Sequence, residues 1–247
     1  MLNKIAESCH FLLNNYPDAY ASKSYLDLRL SLDSQNKWEF GYFPNKQNIS
    51  ALTSLVGEDD LSKLELLSSN NIEDIAGPRR KIYNYFEDHP LIMPQRDAYG
   101  KVIALIGRTV SNNPFKYKNT KFKKGNHLFG LYENKKSILE QGCVYLVEGQ
   151  FDVIKAVEIG FTNIVAMGSN NLSIYQLSLI SRYCNNIFLL LDNDEAGQKG
   201  RARIVSKFGQ LANIRNFYVP DPYKDIDEYI TSEKISDYAE LSFVVKD

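Results

Sequence analysis

Residues 144–152 read VYLVEGQFD, and residues 187–197 read IFLLLDNDEAG. Each begins as an apolar run of the length of a buried strand and stops abruptly in carboxylates, Glu148 in the first and Asp192 and Asp194 in the second. An ionised carboxylate left unpaired beside a buried strand is costly, so its position there calls for a partner. Side chains two apart in an extended segment point to the same side, which puts Asp192 and Asp194 on one face across Asn193. Three carboxylates delivered to one sheet edge suit magnesium, which takes oxygen ligands and completes its shell with water and phosphate oxygens.

Outward from these two stretches the pattern repeats as strand then helix. Residues 144–147, 164–166, 187–191 and 214–219 read as strands, and residues 152–158, 173–183 and 196–207 as helices, with Ser173 placed as an N-cap. Strands separated by helices of this length predict a parallel sheet with helices on both faces. In such sheets ligands gather outside the carboxyl ends of the strands. Asp225 and Asp227, within YKDIDEY at residues 223–229, follow the last strand and belong to the same edge. Taken singly, Asp152 and Asp225 read first as helix N-terminal acids favoured by the helix dipole. That reading does not account for Glu-Gly and Asp-x-Asp together at the ends of two strands.

The first half is organised differently. Residues 1–30 show helical spacing broken at Pro17, residues 38–44 (WEFGYFP) read as a short strand, and residues 49–67 carry helical signals. Gly77-Pro78 is a breaker, and residues 91–93 and 102–106 flank the turn Asp97-Ala98-Tyr99-Gly100 as a hairpin. Residues 112–125 are polar and basic with Phe115, Tyr117 and Phe122 interleaved, which predicts a surface loop or irregular strand. A boundary near residue 140 divides the chain into 1–140 and 141–247. The fold class expected is α/β, an α+β N-terminal part followed by a mostly parallel sheet flanked by helices.

Composition restricts the function classes. Hydrophobic content of 44% and charged content of 24% are those of a globular protein. No apolar run approaches the roughly 20 residues that cross a bilayer, and the N-terminus lacks signal-peptide organisation, so an intracellular, cytoplasmic protein without membrane contact is expected. Cys9, Cys143 and Cys184 are far apart and include no C-x-x-C pair, so no zinc site is expected within the chain. The net charge is −1, yet nine basic residues against a single acid, Glu133, lie between Lys101 and Lys136. A chain divided in this way suits a polyanion on one face and cations on another.

The series VEGQFD, then AMGS at residues 166–169, then LLDNDEAG, then KDIDEY resembles a Toprim domain, the magnesium-binding α/β module of bacterial-type primases, topoisomerases and some nucleases. By that resemblance Glu148 matches the family's glutamate, Asp192 and Asp194 its Asp-x-Asp, and Asp152 the acid of its EG-x-x-D stretch. Asn193 stands where primases often have glycine. Upstream segments narrow the likeness to DnaG-type primases. Tyr25-Leu26 with Arg29 is similar to YL-x-x-R, and FGYFP at 40–44 to GYAP. PQRDAYGKVIALIGR at 94–108 matches the family's hairpin, and KYKN at 116–119 is similar to KYLN. Lys124-Gly125-Asn126 and LFGLYE at 128–133 resemble HKG and LYGLYE.

The resemblance implies the RNA polymerase core of a DNA primase, in which 1–140 is a basic N-terminal subdomain and 141–247 the metal-binding subdomain. It implies RNA primer synthesis on single-stranded DNA from NTPs, with Mg2+ (Mn2+ as substitute) at Glu148, Asp192 and Asp194. Asp152, Asp225 and Asp227 would complete a second metal site or tune the first, and Glu148 is open to either a ligand or a base role. Lys116 and Lys124, with Arg96 and Arg108, would contact phosphate, Tyr117 would stack on bases, and Asn119 belongs to the same segment. The family's zinc-binding and helicase-binding domains are absent from the chain, so a separate zinc-domain partner or a replicative helicase is an expected associate of an otherwise monomeric core. Two other readings stand beside this one: a Toprim-type nuclease or topoisomerase-like enzyme, and a non-catalytic primase-like factor that binds nucleic acid in a replication complex.

Overall fold

The computed structural model describes residues 1–74 and 77–246. They form two compact units, Met1–Gln95 with Val102–Phe122, and Arg96–Lys101 with Lys123–Asp247.

The first unit opens with α1 (Leu2–Asn15), whose buried face is Ile5, Ala6, Cys9, Leu12 and Leu13, the i, i+4, i+7 spacing of one helical stripe. α2 (Tyr20–Asp27) and α3 (Leu32–Lys37) follow, the latter capped by the Ser31 hydroxyl, which accepts from the Ser34 N–H. The strand expected over 38–44 shrinks to β1 (Gly41–Tyr42). Its apolar neighbours Trp38, Phe40 and Phe43 are buried core residues, and Gly41 and Tyr42 pair in register with Ile92 and Leu91. Gly41 lies directly under α1; a Cβ there would stand 2.6 Å from that of Cys9.

After α4 (Ser50–Val56) and α5 (Glu58–Lys63) comes an antiparallel pair that sequence reading misses, β2 (Leu67–Asp74) with β3 (Gly77–Asn84). Gly77-Pro78 begins its returning strand. The expected hairpin is present as β4 (Leu91–Arg96) and β5 (Val102–Arg108), and residues 117–119 of the basic segment add β6 (Tyr117–Asn119), giving the order β1-β4-β5-β6.

In the second unit α6 (Leu131–Gln141) precedes β7 (Cys143–Val147), α7 (Gln150–Glu158), β8 (Ile164–Ala166), α8 (Ile174–Ile180), β9 (Asn186–Leu189), α9 (Glu195–Phe208), β10 (Asn213–Tyr218), α10 (Ile226–Glu233) and β11 (Val244–Lys246). β8, β7, β9 and β10 are parallel, and β11 pairs antiparallel with β10, in the order β11-β10-β9-β7-β8. The mostly parallel sheet and mixed helices match the α/β class expected. On one face Val144, Leu146, Ile187 and Leu189 pack with Leu131 and Ile138 of α6, Leu177 and Ile180 of α8, and Ile204 and Phe208 of α9. α7 contributes nothing to that cluster and packs against α10. The alternate strand positions form an aromatic group around Tyr145, whose ring lies 4.8 Å from Phe161, 5.0 Å from Phe188 and 5.3 Å from Phe217, centroid to centroid. The Ser173 N-cap is present, its hydroxyl accepting from the Gln176 N–H.

This order has a functional consequence. β7 is followed by β8 on one side, and the chain then returns to place β9 on the other. The direction of winding reverses between β7 and β9, and the crevice outside their carboxyl ends is where an open α/β sheet receives a ligand.

Candidate metal and nucleotide site

Glu148 leaves β7 and Asp192 and Asp194 leave β9 at that reversal point. Asp194 is the N-cap of α9, its carboxylate accepting from the Gly197 N–H at 2.9 Å. Gly197 is required there, because a Cβ on it would stand 2.0 Å from the Asp192 carbonyl oxygen. Asp225 caps α10 in the same way, accepting from the Glu228 N–H at 2.9 Å. Asp152, buried in the first turn of α7, accepts from the Gly149 N–H at 3.0 Å. Asp227 lies in the first turn of α10 and accepts from the Thr231 hydroxyl. The helix-terminus roles of Asp152 and Asp225 are therefore real, and the structure adds to them a shared electrostatic field.

That field is visible in the proton affinities. Burial, then the charges of Asp192 and Asp194, push Glu148 up to about 7. Burial, then Asp225, Asp192 and Asp227, hold Asp152 well above the usual carboxylate range. Asp225 is raised by burial and by Asp192 and Asp227. Carboxylates from β7, α7, β9 and α10 thus repel one another across one region.

The donor set fits a hard divalent cation on two observations. Glu148 Oε1 is buried without a hydrogen-bond partner. Asp192 and Asp194 already share a cation, the Lys224 ammonium, 2.9 Å from Asp192 Oδ2 and 3.7 Å from Asp194 Oδ2. Among the described residues no three His, Cys, Asp or Glu side chains close on one point as a finished metal cage. Magnesium does not need one, since it is ordinarily held by one or two carboxylates with substrate and water.

Sequence reading missed three supports of this edge. Arg201 is buried on α9, in the Gly197, Gly200, Arg201, Ile204 stripe where an apolar residue is expected. Its guanidinium donates to the carbonyls of Leu189 (2.6 Å), Phe217 (2.8 Å) and Leu191, and lies 4.0 Å over the Tyr218 ring. Burial pushes it down to about 10, against the opposing pull of Tyr218, Glu148 and Asp192. It ties the end of β9 to β10 immediately before Asp192; an arginine inside an apolar stripe is the signal that could have found it. Asn193 is the second support. Its side chain donates to the Val219 and Tyr223 carbonyls at 3.0 and 2.9 Å, and its N–H to the Lys224 carbonyl at 2.7 Å. Lys224 is the third.

The expected phosphate contacts divide between the units. Lys124 belongs to the second unit, exposed, with its ammonium 3.2 Å from the Gly168 carbonyl. The Gly168 N–H donates in turn to the Glu148 carbonyl at 3.0 Å, which places Lys124 beside the acidic edge. Arg96 is held in the second unit by Glu133 (3.6 Å) and the Gly100 carbonyl (2.9 Å), a bracing role for the hairpin turn. In the first unit Lys116 is exposed, and Arg108 lies over the rings of Tyr25 (5.3 Å) and Tyr117 (4.8 Å). Arg29 also lies over Tyr25, at 5.6 Å. Tyr117 is partly exposed and not a core aromatic. The Asn119 carbonyl accepts from the Tyr85 hydroxyl at 2.5 Å.

Residues 11–135 match the family described as DNA primase catalytic core, N-terminal domain, and residues 145–230 match a Toprim-like family. The chain is 31% identical to the DNA primase of Aquifex aeolicus over 225 residues, 89% of this chain and 43% of that one. It is 33% identical to the DNA primase of Synechococcus elongatus over 238 residues, 91% of this chain and 34% of that one. It spans less than half the length of either relative. The E. coli primase catalytic core superposes with a TM-score of 0.75 at 25% identity, covering 94% of this chain and 76% of that one. With about half of its length matched by the one family and the Toprim-like match beyond it, this chain belongs to the DNA primase catalytic core family.

Proposed function

We propose that the chain is the polymerising core of a DNA primase, which synthesises short RNA primers on single-stranded DNA from NTPs. The observation that carries the reading is the placement of Glu148 after β7 and of Asp192 and Asp194 after β9, on either side of the reversal point of the sheet, with Glu148 Oε1 buried and unpartnered. A primer 3′-hydroxyl attacks the α-phosphorus of a nucleoside triphosphate, the new P–O bond forms, the bond to the β-phosphate breaks, and pyrophosphate leaves.

Glu148, Asp192 and Asp194 would hold magnesium, which when bound lowers the hydroxyl pKa and spreads charge on phosphorus and leaving group. In the metal-free chain burial and the neighbouring aspartates push Glu148 up to about 7, so holding the metal requires the loss of a proton that this carboxyl partly retains near neutral pH. Asp152, Asp225 and Asp227 would tune this site or complete a second one, since a bound cation relieves the mutual repulsion that raises Asp152 and Asp225. Lys124, beside Gly168, offers an ammonium to phosphate at the same edge. Residues 1–140 supply template grip through Lys116 and Arg108, contacts that position a strand without reading its sequence.

The test is priming on single-stranded DNA with NTPs and Mg2+, over a set of template sequences, for wild type and Glu148→Gln. Primers from wild type alone support the proposal. Equal products from both sink it, and strand cleavage in place of synthesis points to a nuclease.

A further inference from the structure

Lys224 is not used by the reaction described above, yet its position is built from both sides. Its carbonyl accepts from the Asn193 N–H and its N–H donates to Glu228 Oε2, each at 2.7 Å. The Asn193 side chain holds the preceding carbonyl, that of Tyr223, at 2.9 Å. The main chain of Lys224 is thus clamped between the aspartate loop and the start of α10. From that anchor the side chain reaches back, and its ammonium bridges Asp192 and Asp194. The side chain is 54% exposed, so it can leave the pair for solvent without unpacking the core.

A divalent ion and an ammonium cannot both occupy the same two carboxylates at full strength. We propose that Lys224 is a built-in counter-ion that competes with the divalent metal for Asp192 and Asp194 and couples metal binding to the arrival of a nucleoside triphosphate. Alone, the metal must displace the ammonium. With a triphosphate present, phosphate oxygens complete the metal shell and accept the displaced ammonium, so both ligands bind better together. The coupling is reciprocal: whatever factor the nucleotide lends the metal, the metal lends the nucleotide. This inference rests on the reading of Asp192 and Asp194 as metal ligands.

Mn2+ binding, followed by the loss of the free-ion EPR signal, tests it on the folded chain without reference to activity. The proteins are wild type, K224M, K224Q, K224R and D192N, each with and without a non-hydrolysable NTP analogue. A half-exposed ion pair is worth up to about a factor of five in an equilibrium. Without nucleotide, K224M and K224Q should therefore bind Mn2+ about three- to fivefold more tightly than wild type, and K224R like wild type. The tightening produced by the analogue should be smaller by the same factor in K224M and K224Q. Lys224 is exposed and its main-chain bonds survive substitution, and thermal melts of the two neutral variants separate a folding defect from a binding change. If wild type binds and D192N does not, but K224M and K224Q bind no tighter than wild type, the counter-ion role is overturned and the metal reading stands. If wild type binds no better than D192N, the metal reading falls and takes this inference with it.

Discussion

At the scale of single residues the molecule stores repulsion. Burial and the neighbouring aspartates raise Glu148 from its ordinary 4.5 to about 7. A carboxyl whose folded pKa lies above its unfolded one favours folding only while protonated. Its contribution is complete below the unfolded value and is lost as pH rises through the folded one. Asp152 and Asp225 are raised as well and act with the same sign. Thermal melts of the metal-free protein should show Tm falling between about pH 5 and pH 8, with Mg2+ raising it far more at the upper end than at the lower. Glu148→Gln should flatten this profile and match or exceed wild-type Tm at pH 8. A Tm that climbs over the same range, or a Mg2+ effect independent of pH, contradicts the account. Asn193 is the opposite case, a residue whose polar contacts are stabilising. Asn193→Ala gives up two side-chain hydrogen bonds to main-chain carbonyls, and denaturant unfolding should read a loss of about 1–3 kcal/mol.

At the scale of elements the site depends on how closely α9 approaches the end of β9. Gly197→Ala would drive a methyl into the Asp192 carbonyl, so a loss of about 1–3 kcal/mol is expected, together with weaker Mn2+ binding. Lys199→Ala, on the exposed face of the same helix, should leave both unchanged. This part of the molecule was legible in the sequence because β7, β8 and β9 lie in apolar runs closed within a few residues by an acid or glycine, and because the helices between them start at recognisable caps such as Ser173. The β2–β3 pair was not. Its first strand, LSSNNIED, is poor in β-branched and aromatic residues, and its second begins with Gly-Pro. Pairing there rests on cross-strand partners, which local propensity does not record. Residues 38–44 misled in the other direction, since their apolar character serves burial and not a ladder. The supporting roles of Arg201, Asn193 and Lys224 were not legible because they are tertiary: each acts on main-chain or carboxylate atoms supplied by another segment.

At the scale of the whole molecule the proposed function assigns template binding to the basic segment and nucleotidyl transfer to the acidic edge. Lys116→Ala and Arg108→Ala should each weaken single-stranded DNA binding by a similar factor on every sequence. Each should also lower the slope of log affinity against log salt by about 0.7, as expected for one phosphate contact; a loss confined to particular sequences would show base reading instead. The central claim is that Glu148, Asp192 and Asp194 perform nucleotidyl transfer. It is tested most directly by single-nucleotide extension of an RNA primer already annealed to a DNA template, which bypasses initiation and any partner it needs. In Mg2+, wild type should lengthen the primer by the templated nucleotide, with Glu148→Gln and Asp192→Asn slower by about 100-fold or more. Extension by the variants at the wild-type rate, or a primer that shortens instead of growing, would contradict the account.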